Sequence, residues 1–135
     1  MSGFRRSRAR CLASALVVAG AGIDRPLDGL QGDPGRGEAV VTRQSSTCTL
    51  CHAGPFPNPH LQGDVGPDLR GVGARLSVPE LRLRLVDASR VNPDTVMPAF
   101  YRTEGLNRVG AAWRGKPILT AAEIEDAVAY LATLK

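Results

Sequence analysis

Apolar positions recur at three- and four-residue steps most clearly near the C-terminus. There Ile124, Ala127, Val128, Leu131 and Leu134 predict an amphipathic helix. Thr120 and Glu123 form a capping box at its start, and Glu123, Glu125 and Asp126 place negative charge in its first turns, where the helix dipole favours it. A second helix opens at Ser77-Val78-Pro79-Glu80, another capping box with proline in the first turn. Leu81, Leu85 and Ala88 form its apolar stripe, with Arg82 and Arg84 expected on the surface. It should end before Asn92-Pro93, because a residue preceding proline avoids helical geometry. A first helix starts with Asp33 as N-cap and Pro34 at the first helical position, carries Val40 and Val41, and runs to about Gln44.

The segments between these helices are irregular. Residues 53–76 hold Gly54-Pro55-Phe56-Pro57-Asn58-Pro59, Gly63, Gly66-Pro67, Gly71 and Gly73, and residues 91–119 read mostly as loop with a short turn near 103–110. Loops of that length are uncommon unless functional or disordered. Strand-like runs are scarce and no internal repeat is present, so the fold class is all-α.

The N-terminus reads differently. A basic stretch from Arg5 to Arg10, an apolar run from Cys11 to Val18 and the small residues Ala19-Gly20-Ala21 match a cleaved secretory signal peptide. The apolar run is well short of the ~20 residues a spanning helix needs. The division expected is a signal peptide over 1–21, a flexible leader over 22–32 and one domain over 33–135. Removing Arg5, Arg6, Arg8 and Arg10 brings the 17 basic residues down to the number of acidic ones, 13. The basic character therefore belongs to the targeting segment, and a nucleic-acid-binding surface is not expected.

Chemistry enters at Cys48-Thr49-Leu50-Cys51-His52, the C-x-x-C-H attachment signal of a c-type haem. Two thiols about one turn apart reach one edge of a porphyrin, and the adjacent imidazole faces its centre as an axial ligand. A thiol–disulfide motif wants a βαβ context that the chain lacks. A structural zinc site wants four spaced ligands, and beyond these residues the mature chain adds only His60. With 4% aromatic residues, one covalent haem c would be a major part of the core, and the apo form is expected to be unstable or unfolded. The second axial ligand has few candidates: Met97, His60, Lys116 and Lys135. Met97 sits in a loop followed by Pro98, where the chain can cross to the opposite face and be held, and is the favoured ligand. His60 follows His52 by only eight residues and reads as a surface loop histidine. The Pro67 carbonyl is the candidate acceptor for the other N–H of His52. A His/Met pair raises the iron potential and closes both axial positions.

These features together resemble a class I cytochrome c over residues 33–135. A narrower resemblance is to SoxX, the small monohaem cytochrome of the periplasmic sulfur-oxidation system. It is carried by Cys51-His52-Ala53-Gly54-Pro55-Phe56-Pro57, by Leu81 through Arg90, by Asn92-Pro93, by Val96-Met97-Pro98-Ala99-Phe100-Tyr101-Arg102 and by Gly115-Lys116-Pro117-Ile118-Leu119-Thr120. That resemblance implies His52 and Met97 as axial ligands, Cys48 and Cys51 as covalent anchors, and a SoxA-type cytochrome as partner. It also implies a transient encounter with a SoxYZ-type carrier and a downstream electron acceptor. The chain would be the non-catalytic electron-transfer subunit of a periplasmic L-cysteine S-thiosulfotransferase complex, which oxidatively couples thiosulfate to a carrier cysteine. Two other functions remain open on the residues: a free-standing periplasmic electron carrier, and a haem enzyme such as a peroxidase.

Overall fold

The computed structural model describes residues 22–135, so the signal-peptide reading of 1–21 lies outside the described residues. Five α-helices, joined by loops with short 3-10 turns, make up the described chain: α1 (Pro34–Thr42), α2 (Cys48–Cys51), α3 (Val72–Arg75), α4 (Val78–Asp87) and α5 (Ala121–Thr133). No strand occurs among the described residues, as the all-α reading expected.

The starts of the helices follow the local sequence. Asp33 accepts a hydrogen bond from the Arg36 amide at 2.7 Å with Pro34 behind it. Both capping boxes form, Ser77 with Glu80 and Thr120 with Glu123. The ends follow longer-range contacts. α1 stops at Thr42, two residues before the expected end, because the buried Ser46 hydroxyl folds back on the carbonyls of Val40 (2.5 Å) and Arg43 (2.8 Å). α4 stops at Asp87, well short of Pro93.

The central contact is α1 against α5, the most extensive in the molecule. Gly37 allows it: a Cβ at that position would overlap the Asp126 carbonyl of α5. Val40, Val41, Ile124, Ala127, Val128 and Leu131 fill the joint, and α4 adds Leu81 and Leu85. Each such aliphatic side chain, fully buried, contributes about 1.5–3 kcal/mol. Polar links reinforce it. Asp126 accepts from the Asp33 amide at 2.7 Å and from both Nε and Nη2 of Arg36, at 2.8 and 2.9 Å. The Arg36 hydrogen bonds hold the Asp126 carboxyl below the usual aspartate range. Arg43 reaches Glu123 at 2.7 Å.

Two expectations are corrected. Arg82 is not on the surface: it is 3% exposed and grips Glu125, equally buried, through Nε and Nη2 at 2.7 and 2.9 Å. Nor are residues 22–32 a free leader. Arg82 Nη1 donates to the Ile23 carbonyl at 2.6 Å, the Leu27 amide donates to Glu125 at 2.9 Å, and the Ile23 amide donates to the Pro79 carbonyl at 3.0 Å. The physical reason for both is the same. A buried ion pair needs its remaining donors and acceptors satisfied, and the N-terminal backbone supplies them.

Removing one partner of this pair leaves an uncompensated buried charge. Glu125→Ala is expected to destabilise the fold by about 3–5 kcal/mol in denaturant unfolding. The double change Arg82→Met with Glu125→Leu should recover most of that loss. A cost below ~1 kcal/mol for the single change would show that the pair does not hold α4 to α5.

Candidate haem site

α1 leads through the Ser46 turn directly into α2, and Thr47, in the left-handed region (φ 61°), makes the corner. α2 is a single turn with Cys48 first and Cys51 last, so the two thiols emerge from adjacent positions on one face. Both are free. Burial pushes the Cys48 thiol up, the opposite of what a disulfide-exchange nucleophile needs.

The loop after α2 laces back over it. Gly63 donates to the Thr49 carbonyl at 2.9 Å, Gly66 to the Cys51 carbonyl at 2.7 Å, and Leu69 to the Ala53 carbonyl at 2.8 Å. Gln62 ties the loop internally, accepting from the Gly54 amide and donating to the Phe56 carbonyl, both at 2.9 Å. Nothing in the sequence pattern marked Gln62 for this task. The result fixes His52. Its Nδ1 lies 2.7 Å from the Pro67 carbonyl. A carbonyl only accepts, so Nδ1 carries the proton and Nε2 keeps its lone pair for a metal. The imidazole also rests against Gly66, where a Cβ would overlap the ring.

Beyond His52 opens a cavity of about 640 Å³, within the ~300–1,000 Å³ range of cofactor pockets. Cys48, Cys51, His52 and Met97 all line it, so the structure brings together the four residues the motif reading selected. The other walls are largely apolar: Val41 from α1, Val72 from α3, Leu81, Leu85 and Ala88 from α4, Leu131 from α5 and Phe100 beyond Met97. Arg75 and Arg84 are the cations among the lining residues. His60, Lys116 and Lys135 do not line it. Met97 is half-buried against the core, and its amide donates to the Thr95 hydroxyl at 3.1 Å.

These residues fit a covalently held haem. Two adjacent free thiols match two vinyl groups, and a tautomer-fixed imidazole and a thioether share one cavity. The Gly66 surface leaves room for the ring, and two arginines can meet carboxylate substituents. Among the described residues no group of three or more His, Cys, Asp or Glu side chains converges as a metal cluster would. The donor set therefore suits an iron whose equatorial ligands come from a porphyrin better than a tetrahedral metal site.

No protein-family profile and no curated protein matches the chain. Among solved structures, the crystal structure of SoxXA from P. pantotrophus matches with a TM-score of 0.77 and 35% identity, covering 85% of this chain and 90% of that chain. The helices and the cavity they enclose define a class I cytochrome c fold. At that identity and coverage the chain belongs to the SoxX family of cytochromes.

Gly66→Ala should push the imidazole away from Pro67. The expected outcome is loss of a slowly exchanging His52 Nδ1 proton in NMR spectra, with a reduced yield of haem-loaded protein. A wild-type proton resonance in that variant would show that the ring has room to spare.

Proposed function

We propose that the chain is the haem-bearing electron-transfer subunit of a periplasmic complex with a SoxA-type cytochrome. In this reading Cys48 and Cys51 are the thioether anchors of one haem c, and His52 and Met97 are its axial ligands. The cavity where these four side chains meet carries the reading, together with the 35% identity to SoxXA. When bound, a haem ligated by His and Met supplies reversible one-electron storage at a raised potential.

The chain's own residues determine how that storage is used. The Pro67 carbonyl holds the His52 ring through Nδ1, which leaves Nε2 as the nitrogen free to hold a metal. The aliphatic walls would keep the group's surroundings apolar, which would favour the less charged state of a bound iron. Met97 would hold the group from the side of the cavity opposite His52, and a thioether there would disfavour substrate binding and favour passage of electrons. Arg75 and Arg84 would hold the anionic edge of the haem.

Joining thiosulfate to a carrier cysteine forms one S–S bond and releases one proton and two electrons. In this chain the cysteines near the cavity are committed to anchoring, so the bond-forming chemistry belongs to the partner subunit. The electrons pass through this chain to a downstream acceptor, and a SoxYZ-type protein carries the sulfur. Among the described residues no helix is long and apolar enough to cross a membrane.

The decisive experiment mixes the oxidised protein with thiosulfate and a carrier protein, with and without the SoxA-type partner. Haem reduction only with the partner is expected. Thiosulfate oxidation by the isolated chain would sink the subunit reading. Met97→Ala should abolish the methionine-to-iron charge-transfer band and lower the reduction potential, whereas an unchanged spectrum would move the ligand to another side chain.

A further inference from the structure

The end of α4 and the segment that carries Met97 are built as one unit. Asp87 leaves helical geometry, with φ −162° and ψ 93°. Its buried carboxylate uses Oδ1 to accept from the Ser89 amide at 3.1 Å and from the Ser89 hydroxyl at 2.5 Å. In a continuing α-helix the Ser89 amide would donate to the Leu85 carbonyl, four residues back. Captured by Asp87, it leaves that carbonyl without its helical partner, one of the orphan acceptors every helix end must satisfy.

The chain after Met97 satisfies them. The Phe100 amide donates to the Leu85 carbonyl at 3.2 Å, and the Tyr101 amide donates to the Val86 carbonyl at 3.3 Å. One residue further on, Arg102 Nη1 donates to the second oxygen of Asp87 at 3.1 Å and reaches the Ser89 hydroxyl at 3.4 Å. A single carboxylate thus ends the helix, frees the Leu85 carbonyl that binds Phe100, and holds the segment's far end by charge. The hydrogen bonds from Ser89 keep Asp87 below the usual aspartate range, so it is ionised at neutral pH.

We propose that Asp87, with Ser89 and Arg102, is a positioning latch for Met97, a role that rests on Met97 being an axial ligand. Only Pro98 and Ala99 separate Met97 from the anchored Phe100, which is 2% exposed and also accepts from the Leu119 amide at 2.9 Å. Proline fixes one of the few dihedrals in between. On the other side the Met97 amide is held by Thr95. The thioether is therefore placed by two short tethers, one at Thr95 and one that ends at Asp87. Asp87, Ser89 and Arg102 do not line the cavity themselves. The Asp87–Arg102 pair is partly exposed at the arginine, so its bare ionic contribution is small. Its effect lies in fixing the segment's register on the helix end.

The test uses haem-loaded Asp87→Ala, Asp87→Asn and Arg102→Gln. Imidazole is titrated into the oxidised proteins, and displacement of Met97 is followed by loss of the methionine-to-iron band. Asp87→Ala should bind imidazole about tenfold more tightly than wild type, the size expected for one lost charge-assisted hydrogen bond. Asp87→Asn and Arg102→Gln should fall between. Amide exchange at Phe100 and Tyr101 should rise by about the same factor, while Val128 and Leu131 in α5 stay protected.

Unchanged imidazole affinity in Asp87→Ala and Arg102→Gln would overturn the latch, and so would faster exchange without tighter imidazole binding. If Asp87→Ala fails to fold, the two conservative variants carry the test. If the wild type shows no methionine-to-iron band, the ligand reading of Met97 fails instead. The latch then falls with it as a device for that ligand, and the exchange data show whether the segment is still anchored.

Discussion

Everything in this fold hangs from the close approach of α1 to α5. Gly37 lets the two backbones meet where any side chain would hold them apart. The helix before the cysteines is thereby fixed against the last helix of the chain. Both contribute to the cavity wall, Val41 from one and Leu131 from the other. The Ser46 turn carries the position of α1 directly into α2, so the location of both thiols is inherited from that joint. α4 completes the wall because Arg82 binds it to Glu125 of α5.

The cavity is built from two kinds of structure with different sources of rigidity. On the His52 side, a loop rich in glycine and proline is stitched to α2 by backbone hydrogen bonds and by the Gln62 side chain. Little of its order comes from apolar burial, Phe56 and Leu69 excepted. On the Met97 side, order is borrowed from the end of α4. The two walls of the cavity thus rest on segments anchored to different helices, both of which are referred back to α5.

What could be read in the sequence follows the range of the interaction. The capping boxes at Ser77 and Thr120 involve residues three apart, and both were legible. The C-x-x-C-H spacing predicted the geometry of α2, since one helical turn is also a local matter. Met97 could be singled out by elimination, and the structure places it in the same cavity as His52. Arg82 was misread because helical periodicity assigns a face but not a partner, and Glu125 lies 43 residues away. Residues 22–32 looked structureless for the same reason: their hydrogen bonds go to side chains that local pattern cannot locate. Asp87 was overlooked as a helix stop because Pro93 offered a more conspicuous one.

The first described residues and the last helix bind each other: Leu27 to Glu125, Asp33 and Arg36 to Asp126, and Gly37 against the α5 backbone. Contacts this far apart in sequence are made late and slowly, after the intervening chain is available. A chain produced from its N-terminus therefore leaves α1 without its partner until residues 121–133 have appeared. The wall of the cavity that Val41 and Leu131 share is therefore complete only when residues 121–133 are in place against α1.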